Sequence, residues 1–237
     1  MNELTVTNRP LLILGMHRSG TSCLTGCLED AGLFLGNVNR AAGFNKKGNC
    51  ENRQARGFNE DVLVRLGGSW DRPPKVPVKL TPEEETALRR IVGRYPPGSQ
   101  WGLKDPRLLL LFEPWAAAVR PRMVGTFRHP LEVARSLMSR GEALGTPMAE
   151  EHALMLWRIY NQRLLALHQA HSFPLIRFDQ HPDDYRRKVI QIAQLLGLPG
   201  NRPISFLEIP LRHQSAEAAP PPSDLKDLWQ ALLSRAI

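Results

Sequence analysis

The chain has 237 residues, 42% hydrophobic and 23% charged, which excludes a globally disordered protein and leaves room for a core without disulfide or metal staples. Lys and Arg number 31 against 23 Asp and Glu, a formal net charge of +8, so an anionic partner is expected. The basic residues are scattered, and their densest cluster, Arg186-Arg187-Lys188, has no aromatic interleaving, which argues against a nucleic-acid partner.

Leu11 to Leu14 is a short apolar run, Leu-Leu-Ile-Leu, that predicts a fully buried parallel strand. A glycine-bounded loop follows from Gly15 to Ser22, then a helix from about Thr21 to Ala31 stopped by Gly32. Residues 33 to 50 are rich in Gly, Asn and Lys and read as a surface loop; Glu51 to Leu66 reads as a helix, and the Pro-rich stretch 69 to 80 as a second loop. Thr81-Pro82-Glu83-Glu84 carries the signature of a capping box and opens a helix that ends before Pro96. Trp101 to Lys104 and Met123 to Phe127 are strand candidates, each followed by a helical stretch, the second from Leu131 to Arg140. A long amphipathic helix fits 148 to 170, a strand Leu175 to Phe178, and a helix Asp183 to Leu196. A Pro-rich link at 219 to 222 precedes a short helix capped by Ser223.

Strands alternating with helices predict an α/β fold, a three-layer sandwich with a central, mainly parallel sheet. The expected organisation is a single domain over 1–237, with its core at about 11–200 and a C-terminal extension at 201–237. The stretch Leu108 to Val119 is too short to span a membrane and contains Glu113 and Pro114, and the N-terminus shows no secretory signal, so a cytoplasmic protein without a membrane span is expected. Cys23, Cys27 and Cys50 are too few for a disulfide framework, and with the histidines dispersed no metal site is expected. Cys23 and Cys27, four apart, share a helix face and read as core. Trp157 and Tyr160, three apart, are expected to pack together.

Gly15-Met-His-Arg-Ser-Gly20-Thr21-Ser22 has the spacing of a Walker A loop, with Thr21 where that loop has lysine. The backbone N–H groups and the helix N-terminus still form an anion cradle, and Arg18 supplies a cation from inside the loop. The third strand candidate ends in Arg128, where a Mg²⁺-dependent enzyme would want an acidic residue. Ser136 lies two helical turns beyond Arg128, so that guanidinium and that hydroxyl could meet on a second phosphate.

With these two motifs in order, the sequence resembles the sulfotransferases that use 3′-phosphoadenosine 5′-phosphosulfate (PAPS), in their soluble bacterial form. The loop 15–22 looks like their 5′-phosphosulfate motif, Phe127-Arg-His-Pro-Leu-Glu-Val-Ala-Arg-Ser136 like their 3′-phosphate motif, and Leu175-Ile-Arg-Phe-Asp179 with Leu195-Leu-Gly-Leu198 like a later strand-plus-helix segment. The resemblance covers about residues 11 to 200; the glycine-rich nucleotide loop of cytosolic animal members is absent.

The resemblance implies metal-free, in-line transfer of a sulfuryl group from PAPS to an acceptor hydroxyl or amine, leaving 3′,5′-diphosphoadenosine (PAP). It implies cofactor contacts from His17, Arg18, Ser19, Gly20, Thr21 and Ser22 to the phosphosulfate and from Arg128 and Ser136 to the 3′-phosphate, with Arg212 a further candidate. Lys104, in Lys-Asp-Pro-Arg107, is similar to the transition-state lysine of the protein-tyrosine sulfotransferases, and Arg18 is the second catalytic cation. Glu51 is the first choice of base, Asp105 the alternative, though Asp before Pro often caps a turn; His17 is either a base or a bystander, and His129 is structural. The acceptor is left open among saccharide, glycolipid, peptide and small natural product, and so is the oligomeric state. A Mg-ATP kinase or other NTPase, a non-catalytic nucleotide- or anion-binding module and a nucleic-acid binder are the competing functions.

Overall fold

The computed structural model describes residues 9–41, 48–200, 203–207 and 219–237. Its elements run β1 (Leu11–Leu14), α1 (Thr21–Asp30), α2 (Arg53–Arg65), α3 (Pro82–Val92), β2 (Gly102–Lys104), a 3-10 turn (Pro106–Leu109), α4 (Phe112–Val119), β3 (Arg122–Phe127), α5 (Pro130–Ala143), α6 (Glu150–His171), β4 (Leu175–Arg177), α7 (Pro182–Leu195), a second 3-10 turn (Ser223–Leu225) and α8 (Lys226–Leu233). The sheet order is β2-β1-β3-β4 and every pairing is parallel.

The run at β1 is apolar at every position because both of its faces are covered. Leu12 and Leu14 join a core with Trp115, Trp157, Tyr160 and Leu164, beneath α4, α5 and α6. Leu11 and Ile13 point the other way, into Leu24 and Leu28 of α1 and Val189 and Ile192 of α7. Side chains alternate across a strand, so four consecutive aliphatics serve two layers of helices. Full burial of each contributes about 1.5–3 kcal/mol. On β3, a Cβ at Gly125 would lie 2.4 Å from Leu175 Cδ2 and 2.9 Å from Leu164 Cδ1, so the sheet and α6 close at that point only over glycine.

The chain leaves β1 for β2 on one side and later returns to β3 on the other. The strand order therefore reverses beside β1, which puts the switch point between β1 and β3, and in open α/β sheets ligands bind outside the carboxyl ends of the strands at such a point. Register carries Lys104 to the same end, since Ile13 pairs with Lys104 and Leu14 with Gly125.

Several boundaries follow their local chemistry. Thr81 accepts from the Glu84 N–H while Glu84 accepts from the Thr81 N–H, completing the capping box of α3. Other expectations are corrected. The stretch 33 to 50 is not a surface loop throughout, because Leu33, Leu35 and Cys50 are buried and Phe34 forms a bridge with Trp101. Residues 42–47 within it lie outside the described residues. Helix α2 starts two residues later than expected, because the Asn52 side chain accepts from Gln54 and Ala55 N–H and fixes the cap there. Ser223 does not cap α8; it opens the 3-10 turn, and α8 begins at Lys226 without a side-chain cap.

A buried polar chain ties α2 and α4 to the end of β2. Trp115 Nε1 donates to Asn59 Oδ1 at 2.8 Å, and Asn59 Nδ2 donates to Asp105 Oδ2 at 2.9 Å. Asn59→Leu strands both partners in the core, so a loss of about 2–4 kcal/mol is expected, measurable by urea unfolding. A change under about 0.5 kcal/mol would show that the chain of bonds is not a structural tie.

Candidate functional site

The loop from β1 to α1 is shaped by backbone that most residues avoid. Gly20 has φ 83°, and a Cβ there would lie 2.2 Å from the Phe178 ring, so glycine is required twice over. Arg18 also adopts a positive φ, 65°, a conformation costing a non-glycine residue roughly 1–2 kcal/mol. The first turn of α1 has no side-chain cap and no acidic residue. Its N–H groups and the positive end of its dipole are therefore left for an external anion. Thr126 Oγ1 donates to the Ser19 carbonyl at 3.1 Å and fixes the loop to β3. The Ser19 hydroxyl and His17 Nε2 are buried without a hydrogen-bond partner among the described residues. Two such orphans in one loop, with an uncapped helix start, fit a bound anion.

The second motif converges on this loop. Arg18 Nε donates to Ser136 Oγ at 2.8 Å across 118 residues. Arg128, at the end of β3, donates from one guanidinium nitrogen to the Arg18 carbonyl at 3.4 Å and from the other to Glu132 at 3.2 Å. Its own carbonyl accepts from Trp157 Nε1 at 2.9 Å, and its guanidinium lies over the Phe178 ring. Arg128 and Ser136 are thus gathered around Arg18. His129 stands at the start of α5, its N–H donating to Asp179 and its ring edge-on to Trp229.

Arg140 belongs to the same group and was missed in the sequence. It lies one turn beyond Ser136 on α5, half-buried, and its guanidinium has no hydrogen-bond or ion-pair partner among the described residues. Burial, then Arg140 and Arg128, lowers the Arg18 pKa. The four-residue spacing from Ser136 was the available signal.

Lys104 and Glu51 meet on the other flank of the loop. Lys104 Nζ donates to Glu51 Oε1 at 2.7 Å, to the Asn49 carbonyl at 3.1 Å and to Ser22 Oγ at 3.3 Å. The side chains of the pair are 3% and 9% exposed, so each charge depends on the other for neutralisation. Ser22 Oγ itself donates to the Asn49 carbonyl at 3.1 Å. Positive φ at Gly48 and Cys50, 78° and 53°, bends the strap that carries Asn49 and Glu51 over the loop.

Asp105 takes up the turn-capping geometry. Its Oδ1 accepts from the Arg107 N–H and guanidinium at 3.0 and 2.9 Å, and its Oδ2 accepts from Asn59. Burial raises its carboxyl pKa while Arg107 pulls it down. Tyr160 and Trp157 are buried in the same core; Tyr160 is edge-on to His17 at 6.2 Å, and Trp157 meets Trp229 of the C-terminal helix at 6.4 Å. His17 also lies against Trp70, at 4.5 Å, a contact only foreshadowed by a tryptophan in a Pro-rich loop. Arg212 lies outside the described residues.

Burial holds the His17 pKa well below 6.5, and Arg107, Lys104, Arg140 and Arg18 add to the effect. Burial lowers His129 as well. Both rings are neutral in the fold and become protonated in the unfolded chain near pH 6.5, so the unfolded state binds more protons below that point. Stability is then complete at neutral pH and falls as pH drops through about 6.5, by up to about 1.4 kcal/mol per pH unit for each proton. Urea unfolding between pH 7.5 and 5.5 should give this slope, and His17→Gln should make it shallower; an unchanged slope in the variant would contradict the buried neutral ring.

Comparison with known proteins gives matches among solved structures but no family model and no curated protein that matches. One of the solved structures is the sulfotransferase domain from the Synechococcus PCC 7002 olefin synthase, to which the chain is 18% identical with a TM-score of 0.49, covering 95% of this chain and 93% of that one. Among the described residues, no helix is long and apolar enough to cross a membrane.

Proposed function

We propose that this protein is a sulfotransferase that moves a sulfuryl group from PAPS to an acceptor hydroxyl or amine. The observation that carries the reading is the convergence of two anion motifs on one side chain: Arg18 of the loop is bonded to Ser136, and Arg128 is bonded to the Arg18 carbonyl. A donor with phosphate groups at two ends suits such a doubled cradle. The buried Lys104–Glu51 pair at Ser22 adds the two charges that group transfer needs.

Arg18, Ser19, Gly20, Thr21 and Ser22, with the first N–H groups of α1, would hold the 5′-phosphosulfate. Arg128 and Ser136 would hold the 3′-phosphate, and Arg140 adds a cation without a carboxylate of its own. The donor supplies a sulfuryl group on a phosphate oxygen; in the transfer that S–O bond breaks and a new one forms to the acceptor. Negative charge passes to the phosphate oxygen, where Lys104 and Arg18 stabilise it. Glu51 takes the acceptor's proton as its bond to Lys104 gives way. Asp105 acts through Arg107 and the β2 end to keep Lys104 in place. Thr21 in the lysine position and Arg128 at the strand end both favour direct contact with the donor's anions over a nucleotide–Mg²⁺ complex.

Thermal unfolding with PAP tests the donor. At about 100 times its dissociation constant a ligand adds about 2.7 kcal/mol, roughly 5–10 °C at this chain length. The shift should survive EDTA and exceed that with Mg-ATP. A shift confined to Mg-ATP would replace this reading with a kinase or other NTPase, and no shift with either would leave a module without nucleotide.

Glu51→Gln should reduce sulfate release from PAPS about 10²- to 10⁴-fold and leave PAP affinity within a few-fold. Unchanged release would remove Glu51 from the chemistry.

A further inference from the structure

His17 has features that cradling phosphate does not need. Its ring is fixed on two sides, 4.5 Å from Trp70 and edge-on to Tyr160, and the Tyr160 hydroxyl donates to the Trp70 carbonyl at 2.8 Å, which locks the two walls together. The ring is 9% exposed, and its Nε2 is buried with no partner among the described residues. Buried polar atoms nearly always find a partner, so a rigid ring with an unused nitrogen beside an anion loop calls for one.

The neighbours indicate what that partner is. Four cations act on His17: Arg18 in the loop, Lys104 at the end of β2, Arg107 in the 3-10 turn and Arg140 on α5. Lys104 is tied to Glu51, Arg107 to Asp105 and Glu60, and Arg18 to Ser136. This field disfavours a positive ring and leaves a neutral imidazole with one N–H. A neutral N–H surrounded by cations is suited to an oxygen that gains negative charge, and unsuited to another cation or to donors alone. In the loop, His17 directly precedes Arg18, which is bonded to Ser136, and the same loop ends at Ser22, whose hydroxyl Lys104 reaches at 3.3 Å, so the phosphosulfate and the transfer centre would meet beside it.

We propose that His17 donates its Nε2–H to an oxygen of the transferring sulfuryl group, and so distinguishes the donor from its desulfated product. This rests on the sulfuryl-transfer reading above. During transfer the bond from sulfur to the phosphate oxygen breaks and the bond from sulfur to the acceptor forms. The proton of the acceptor goes to Glu51, and the His17 proton stays on the ring throughout. His17 is then a catalytic residue whose hydrogen bond strengthens as charge builds on the sulfuryl oxygens.

PAP and PAPS differ only by that group, so the pair isolates it. Affinities for both, from thermal shift, and sulfate release from PAPS are to be compared for the wild type, His17→Ala and His17→Gln. The expected result is PAP affinity within about two-fold in both variants, PAPS affinity weakened about 5- to 10-fold in His17→Ala, and sulfate release lowered about 10- to 100-fold. His17→Gln, whose amide offers an N–H at similar reach, should recover part of both losses. Equal weakening of PAP and PAPS would mean that His17 only shapes the loop, and would overturn the proposal. No change for either would overturn it too, by showing that Nε2 faces no ligand. A wild type that binds neither PAP nor PAPS is a different failure, one that defeats the sulfuryl-transfer reading itself.

Discussion

An ammonium group at the end of β2 has almost no access to water, and much of the site follows from that burden. A charge so buried calls for an opposite charge in contact, because removing an ion from water costs several kcal/mol. Glu51 meets the requirement at 2.7 Å. To bring it there the chain bends through positive φ at Gly48 and Cys50, and the Asn49 carbonyl is pressed against Lys104 and Ser22. The same demand explains the depth of the supporting polar chain. Asp105 must hold the strand end, Asn59 must hold Asp105, and Trp115 must satisfy Asn59, all within the core.

The charges on the two flanks of the loop are handled differently. Beside β2, each cation is matched by a carboxylate: Lys104 by Glu51, Arg107 by Asp105 and Glu60. Beside α5, Arg128 and Arg135 share Glu132, Arg18 is bonded to the Ser136 hydroxyl, and Arg140 has no ion-pair partner among the described residues. Among the described residues, two cations without a carboxylate partner, Arg18 and Arg140, therefore lie near α5 and the start of α1, although the whole chain carries its +8 in scattered residues. Composition alone suggested an anionic partner without giving its location.

What the sequence made legible was local. Leu11 to Leu14 reads as a doubly covered strand because burial on both faces needs apolar residues at every position, and Thr81 with Glu84 reads as a helix start because both partners lie within one turn. The loop 15–22 is legible for the same reason, its glycines and hydroxyls being contiguous. Leu33 and Leu35 were hidden among Gly, Asn and Lys, whose composition masked the two inward positions. Lys104 and Glu51 were each singled out, but their contact spans 53 residues and has no local signal. Arg140 stood at a helical spacing from Ser136, yet only packing reveals that it has no ion-pair partner among the described residues. Ser223 looked like a cap because serine often is one, and the chain used it one turn too early.

The distance along the chain between Arg18 and Ser136 has a kinetic consequence. Contacts that close long loops form late, since the entropy of closure must be met before the contact contributes. The site needs β1 paired with β3, β2 in register on the other side and α5 docked on α6, with pieces from residues 17–22, 49–51, 104 and 128–140. No continuous segment contains all of it. A nascent chain that has produced β1, its loop and α1 holds an uncapped helix start but no Ser136, Arg128 or Arg140 to complete it. Assembly of the candidate site is consequently a property of the finished fold.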